Sequence, residues 1–224
     1  MKYENVEIDV AVSDRGLARK RGRKALNADK RRGEIVRKIA PVFLERGYDS
    51  VSINEIVDLV GGSKTTLYSL FGGKEGMLES VVEFITSEVV IGIDISARGT
   101  IEEQLIRIGN SFVKLVLSPR VLEFHRLMVS IGGKFPKAGK LFFETGPMGA
   151  AAMVATWISE HQAAGRFIEG DPHSLAQLYL DMLIGEHQLG RLASYPGAGD
   201  PKRVEATVHL ASQIFLRGCM RSRD

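Results

Sequence analysis

The sequence predicts an all-α protein with a small N-terminal domain and a larger C-terminal domain. Three observations support this fold class. Apolar residues recur at helical spacing along most of the chain, residues that start helices precede these segments, and the alternation typical of strands is absent. The 224 residues are 44% hydrophobic and 25% charged, an ordinary composition for a globular protein that buries a sizeable core.

Positive charge is concentrated near the N-terminus. Between Arg15 and Arg46 there are 12 Lys or Arg residues and three acidic residues, so this segment carries +9 and the rest of the chain −6. A local excess of positive charge attracts polyanions and releases their counterions on binding. Nucleic acid is therefore the leading partner, and the alternative is a solvated basic tail without a binding role.

The first helix is predicted from its apolar spacing. Residues 1–27 have few large apolar side chains and predict a disordered basic arm. From Ala28 to Arg46, Ile35, Ile39 and Phe43 recur every four positions, which indicates one buried face of a helix. Pro41 falls within this helix and predicts a kink, because proline removes a backbone hydrogen bond.

Two short helices joined by a glycine turn follow. Ser52 with Glu55 three positions later is the capping-box arrangement that starts a helix. Gly61 and Gly62 favour a turn, and Ser63 can cap the next helix. Two short helices in this arrangement, behind a basic segment, have the composition of a helix-turn-helix DNA-binding motif.

The third helix has small polar residues at its N-terminal end. Lys64, Thr65 and Thr66 are short or flexible enough to approach base edges in a major groove. Leu67 lies on the opposite, core-facing side, and Tyr68 can place its hydroxyl against a phosphate. The alternative is that both threonines are simply exposed helix residues.

The segment from Val51 to Leu78, VSINEIVDLVGGSKTTLYSLFGGKEGML, resembles the TetR family of bacterial transcriptional regulators. The resemblance implies an N-terminal three-helix DNA-binding domain at residues 28–75 and a helical effector-binding and dimerisation domain at residues 76–224. It also implies a sequence-specific homodimer that represses transcription until a small-molecule effector releases it from double-stranded operator DNA. The implied DNA-binding residues are Ser52, Ser63, Lys64, Thr65, Thr66, Tyr68 and Lys74. The alternative function is a nonspecific or architectural DNA-binding protein without effector control.

The C-terminal two-thirds of the chain is also predicted to be helical. Apolar spacing indicates helices at residues 101–117, 119–131, 137–164, 172–193 and 200–217. The last two helices carry long apolar stripes that a monomer could not hide, so they are the candidate dimer interface.

Large, deformable side chains on these helices could line an effector cavity, although for any one of them ordinary core packing is the favoured interpretation. The candidate ligand-binding residues are Phe112, Phe124, His125, Met128, Met153, Trp157 and Met182.

Other classes of protein are disfavoured by what the sequence lacks. A nucleophile elbow, a phosphate-binding loop and a His-Glu metal motif are absent, so we expect neither an enzyme nor a cofactor. The five histidines are far apart and Cys219 is the only cysteine, so neither a metal site nor a disulfide is expected. The longest uncharged stretch, Thr145 to Ser159, is too short to span a membrane, and the N-terminus does not resemble a secretory signal. We therefore expect a cytoplasmic protein.

Overall fold

The computed structural model describes residues 8–220, with side chains from residue 26 onward. The described residues form ten α-helices, and their one β contact is an isolated bridge between Phe167 and Met220. The all-α prediction is thus confirmed. The helices are α1 (Ile8–Arg46), α2 (Ile53–Val60), α3 (Lys64–Phe71), α4 (Lys74–Ile91), α5 (Ile101–Val116), α6 (Pro119–Ile131), α7 (Pro136–Thr145), α8 (Pro147–Ala163), α9 (Pro172–Leu192) and α10 (Pro201–Cys219).

Local sequence signals explain where most helices begin. Ser52 and Thr100 each form a complete capping box at the start of α2 and α5. Proline occupies the first turn of the last five helices, where its missing N–H costs no hydrogen bond. Asp171 and Asp200 cap α9 and α10 by accepting a backbone N–H three residues later.

The first helix is longer than the sequence predicts. A disordered arm is predicted over residues 1–27, whereas α1 already begins at Ile8. Lys, Arg, Ala and Leu are strong helix formers, so residues 8–27 can extend a helix that is anchored further along the chain. Residues 1–7 lie outside the described residues. Pro41 is exposed within α1, and the kink at this position stays a prediction.

One predicted helix is two helices in the structure. The segment predicted as a single helix at residues 137–164 divides into α7 and α8 at Gly146 and Pro147. Proline lacks a backbone N–H and disfavours helical geometry in the preceding residue, so it ends the first helix. Gly146 also allows close packing, because a Cβ there would lie 2.8 Å from the Phe142 carbonyl oxygen and 3.2 Å from the Thr86 methyl carbon.

The buried apolar residues form two clusters. The first joins α1 to α4 with residues of α6 and α7, and the second joins α5, α8, α9 and α10. The predicted domain boundary after residue 75 falls inside α4, whose Met77, Leu78 and Val81 pack in the first cluster. Helix α4 therefore packs in the first cluster along most of its length, and Val89 near its end packs against the second cluster.

Helix α4 contacts α7 through a polar link as well as apolar packing. The hydroxyl oxygens of Thr86 and Thr145 lie 2.8 Å apart.

No helix within residues 8–220 is both long and apolar enough to cross a membrane.

Candidate nucleic-acid interface and ligand cavity

The second helix is fixed to the first through its capping residues. The Ser52 hydroxyl oxygen accepts the Glu55 N–H at 3.2 Å, and the Glu55 carboxylate accepts the Ser52 N–H at 2.8 Å. Arg46 from α1 donates to the same carboxylate at 2.7 Å. These donors, with the Ser52 N–H first, lower the pKa of Glu55 to about 2. Ser52 thus caps α2, and its backbone N–H helps to keep the Glu55 carboxylate ionised.

The two threonines at the N-terminal end of α3 differ in their hydrogen bonds. The Ser63 oxygen accepts the Thr66 N–H at 3.2 Å and lies 3.0 Å from the Thr66 hydroxyl, so these two side chains cap the helix together. Thr65 and Lys64 are exposed, and the Thr65 hydroxyl has no hydrogen-bond partner within the described part of the chain. Leu67 and Phe71 are buried and fix which face of α3 points outward.

Tyr68 lies on α3, and its ring reaches Gly73, the residue before α4. Its side chain is 52% exposed, and a Cβ at Gly73 would lie 3.6 Å from its ring. Gly73 precedes α4 and provides no side-chain cap, so the first-turn N–H groups of α4 are left without a side-chain acceptor. The Tyr68 ring therefore lies close to the uncapped N-terminus of α4.

Lys74, predicted to bind a phosphate, makes an internal contact instead. Its ammonium group donates to the Tyr48 carbonyl and lies 4.1 Å from the centroid of the Tyr48 ring. Burial lowers the Lys74 pKa, and a charge above an aromatic ring is stabilised by the ring's electron density. The sequence places Lys74 at the start of α4 but does not determine the direction of its long side chain.

Two arginines that sequence reasoning missed brace the motif from α1. Arg31 donates to the Val60 carbonyl at 2.8 Å, where α2 ends. Arg32 donates to the Ser80 hydroxyl at 2.7 Å and lies 5.6 Å from the centroid of the Phe71 ring. In the sequence they were indistinguishable from the other basic residues of the positively charged segment, and no spacing signal marks them.

The loop after α1 contacts the loop before α7, and we call this contact the clasp. The Tyr48 and Phe135 rings meet edge to face with centroids 4.7 Å apart. Lys134 donates to the Asp49 carboxylate at 2.8 Å. The clasp thus joins the helix-turn-helix half to α7.

A cavity of about 250 Å³ lies among α4 to α9. Phe112, Phe124 and His125, three of the candidate ligand-binding residues, line it. The further lining residues are Thr86, Val89, Val116, Val121, Phe142, Phe143, Gly146, Pro147, Ala150, Gln177, Leu180, Asp181, Ile184 and Gln188.

The other four candidate ligand-binding residues lie away from this cavity. Met128 packs in the first cluster and Met153 against the second. Trp157 is buried and its indole N–H donates to the Gln104 side chain at 2.9 Å, which satisfies its polar group within the core. Met182 is exposed on α9. Helical spacing showed that these residues lie on apolar faces but not which neighbouring helix each face meets.

Hydrogen bonds fix the polar side chains at the edge of the cavity. The His125 Nδ1–H donates to the Val121 carbonyl at 3.0 Å, which leaves Nε2 as the acceptor for the Gln188 amide at 3.3 Å. Burial lowers the His125 pKa and keeps the ring neutral. On α9, the Gln177 amide donates to the Asp181 carboxylate at 3.0 Å.

Comparison with known families identifies both halves of the chain. Residues 35–81 match the family described as bacterial regulatory proteins, tetR family. Residues 103–218, more than half of the chain, match the family described as the C-terminal domain of AefR-like transcriptional repressors. The chain belongs to the TetR family. The resemblance found in the sequence is confirmed, and the protein is a DNA-binding transcriptional regulator of this family.

Individual relatives agree with this assignment. The HTH-type transcriptional activator FasR of Mycolicibacterium smegmatis is 32% identical over 79 residues, which cover 35% of this chain and 36% of FasR. The match thus spans about a third of that relative. A TetR-family transcriptional regulator of Mesorhizobium loti has a TM-score of 0.78 at 22% identity, covering 87% of this chain and 98% of its own. The flavonoid-responsive regulator FrrA has a TM-score of 0.76 at 22% identity, covering 87% and 100%. At these identities the two structures show a shared fold.

The TetR-family chain also exposes two apolar stripes. Leu178, Met182 and Leu189 lie along one face of α9, and Leu178 and Leu189 are 62% and 70% exposed. Leu210 and Ile214 are exposed one turn apart on α10. The helices that carry these stripes are those predicted from the sequence to form the dimer interface.

Proposed function

We propose that this TetR-family regulator binds a pseudo-palindromic operator as a homodimer and represses transcription until a small molecule occupies the cavity. The observation that carries the proposal is the outward N-terminal end of α3, where Thr65 offers a hydroxyl that nothing else in the described chain uses. Repression is favoured because the family match over residues 103–218 is to a repressor domain. The activator FasR matches over a shorter part of the chain.

The contacts with DNA divide into base reading and phosphate binding. Thr65 is the principal base-reading residue because its hydroxyl is free, while Ser63 and Thr66 hold the end of the helix and lie beside it. Tyr68 and the uncapped N-terminus of α4 together bind one phosphate, since free N–H groups and the helix dipole favour an anion there. Lys64 binds a neighbouring phosphate.

Ser52 and Lys74 support this interface in a different way. Ser52 accepts a backbone N–H, and its own hydroxyl proton stays available for a phosphate oxygen. Lys74 holds Tyr48 and fixes where α4 begins, and it contributes positive charge to the phosphate site from behind. Its role is therefore positioning first and electrostatic attraction second.

A homodimer follows from the stripes on α9 and α10. Leu178, Leu189 and Ile214 would stay exposed to water if the chain were monomeric, whereas two copies can bury them in a four-helix contact. A two-fold dimer can place two reading helices about 34 Å apart, which matches one turn of DNA. Such a protein acts where the chromosomal DNA is, in the cytoplasm.

The clasp provides the route from the cavity to the reading helix. Phe142 on α7 lines the cavity, and Phe135 at the start of α7 packs on Tyr48, which in turn binds Lys74 at the start of α4. A ligand that binds better when α7 is displaced will therefore favour a different placement of the reading helix. The ligand can lower the affinity for DNA at most by the ratio of its own affinities for the two conformations.

The experiment starts with selection of duplexes from a random pool by the full-length protein. The selected duplex and a scrambled duplex of equal length are then titrated at 100 and 300 mM salt. A specific regulator keeps a large preference at the higher salt, because screening removes mainly the attraction to phosphates. Equal affinity for both duplexes at 300 mM would instead support a nonspecific architectural protein.

Repression is tested with a reporter promoter that contains the selected operator. The proposal predicts lower transcription with the regulator present, and a matched promoter with the scrambled site should not respond. Higher transcription would identify an activator and refute repression.

A further inference from the structure

The cavity has a deep apolar part and a polar mouth. Phe112, Phe124 and Leu180 are buried at its inner wall, whereas Phe143 and Asp181 are exposed at its edge. A ligand that enters must therefore place an apolar body inside and can keep a polar group near the edge.

The volume limits the size of that body. An apolar cavity of 150 Å³ can hold benzene, so a cavity of about 250 Å³ accommodates about ten non-hydrogen atoms. Aromatic side chains, among them Phe112, Phe124 and Phe142, line the cavity, and such rings favour an aromatic partner in offset or edge-to-face contact. A bicyclic aromatic group has the right size and shape.

The charges at the cavity favour one sign of ligand. Asp181 is a carboxylate, and the Lys and Arg residues of the described chain are absent from the lining. His125 cannot supply a positive charge without losing the hydrogen bond that its Nε2 accepts from Gln188. The amides of Gln177 and Gln188 are neutral donors, so they do not offset the repulsion between the Asp181 carboxylate and an anion at the mouth.

We propose that the cavity binds a bicyclic aromatic molecule that is neutral or cationic and carries a hydrogen-bond donor directed at Asp181, and that it rejects anions of the same shape. This inference rests on the proposed role of the cavity as the effector site. Gln177 is a positioning residue here, because its amide holds one carboxylate oxygen of Asp181 and leaves the other free for the ligand.

Three naphthalene probes of matched shape test this selection: 2-naphthylmethylamine, 2-naphthol and 2-naphthoate. Their dissociation constants for the full-length protein are measured by calorimetry, without DNA. We expect the amine and the naphthol to bind and the naphthoate to bind at least tenfold more weakly than the amine. Equal binding of amine and naphthoate would overturn the charge selection, and failure of all three to bind would overturn the proposed ligand class.

Two variants locate the effect at the cavity. Asp181→Asn is expected to reduce the preference for amine over naphthoate at least fivefold, while naphthol binding changes less than threefold. Glu123→Gln removes a carboxylate from α6 outside the cavity and should leave all three constants unchanged. An unchanged preference in Asp181→Asn would overturn the assignment to Asp181. Operator titration of the same preparations, without probe, separates these outcomes from failure of the proposed DNA-binding function.

Discussion

His161 provides a quantitative test of how the C-terminal core is packed. The residue is 4% exposed, and its ring stacks on Trp157 with centroids 4.2 Å apart. Its Nδ1–H donates to the Trp157 carbonyl at 3.1 Å, but Nε2 is buried without a partner among the described residues. Burial lowers the His161 pKa, with a smaller contribution from Arg166, so the folded protein keeps this ring neutral.

The magnitude follows from linkage between protonation and folding. The unfolded chain binds a proton at His161 near its ordinary pKa of about 6.5, whereas the folded chain does so only at lower pH. The unfolded state therefore binds more protons as the pH falls, and the free energy of unfolding decreases. Between pH 7.5 and 5.5 the loss from His161 reaches at most about 1.4 kcal/mol, the value for a folded pKa well below 5.5.

His161→Phe is expected to remove this loss while keeping an aromatic ring between Trp157 and Phe167. At pH 7.5 the variant should be about 1 kcal/mol more stable, because the penalty for a buried unsatisfied nitrogen exceeds the one hydrogen bond that is lost. Urea unfolding followed by circular dichroism, at fixed protein concentration and several pH values, measures both effects.

The matched control is His209→Gln, a change at an exposed histidine on α10. It should leave the pH dependence as it is in the unmodified protein. His125 is also held neutral by burial and will leave a residual slope in His161→Phe. The reasoning is refuted if His161→Phe shows the full pH dependence of the unmodified protein.

Three further predictions concern the proposed function. Tyr68→Phe should weaken binding to every duplex alike, about fivefold per reading helix, because it removes one phosphate hydrogen bond. Titration of operator and scrambled duplexes checks this, and a loss of affinity for the operator alone would contradict it. Leu178→Glu should yield a particle near the chain mass of 24.6 kDa in light scattering, because it places charge in the dimer contact, and an intact dimer would argue against that interface. Phe135→Ala should keep operator affinity within about threefold but reduce the release of DNA that a ligand induces. The control Val129→Ala, at an exposed position on α6, should change neither property. Normal ligand-induced release by Phe135→Ala would exclude the clasp as the route.

The elements that could be predicted from the sequence are those that depend on neighbouring residues. Ser52, Ser63 and the glycines between them act within a few positions of the chain, so their pattern predicts both ends of α2 and the start of α3 correctly. The break at Pro147 was also local, and its signal was present in the sequence but was outweighed by the helical spacing on both sides. The start of α1 at Ile8 differs from the prediction because a segment with few apolar residues can still continue a helix that is anchored further along the chain.

The parts that could not be predicted depend on contacts between distant segments or on side-chain direction. Nothing near Thr65 and Thr66 in the sequence indicates that only one of them has an unpartnered hydroxyl. Asp181 lines the cavity while Met182, its neighbour on α9, lies outside the lining, because adjacent helix residues point about 100° apart. The clasp joins residues more than 80 positions apart, and no local pattern predicts such a pairing.

The most direct test of the account compares operator and scrambled duplexes for Thr65→Ala at 300 mM salt, with Ser69→Ala as a control hydroxyl on the same helix. Losing one base contact should reduce the operator preference about fivefold per half-site, while affinity for the scrambled duplex is unchanged. Ser69→Ala should behave as the unmodified protein. An unaltered preference in Thr65→Ala, or an equal loss on both duplexes, would contradict the claim that the start of α3 reads bases through Thr65.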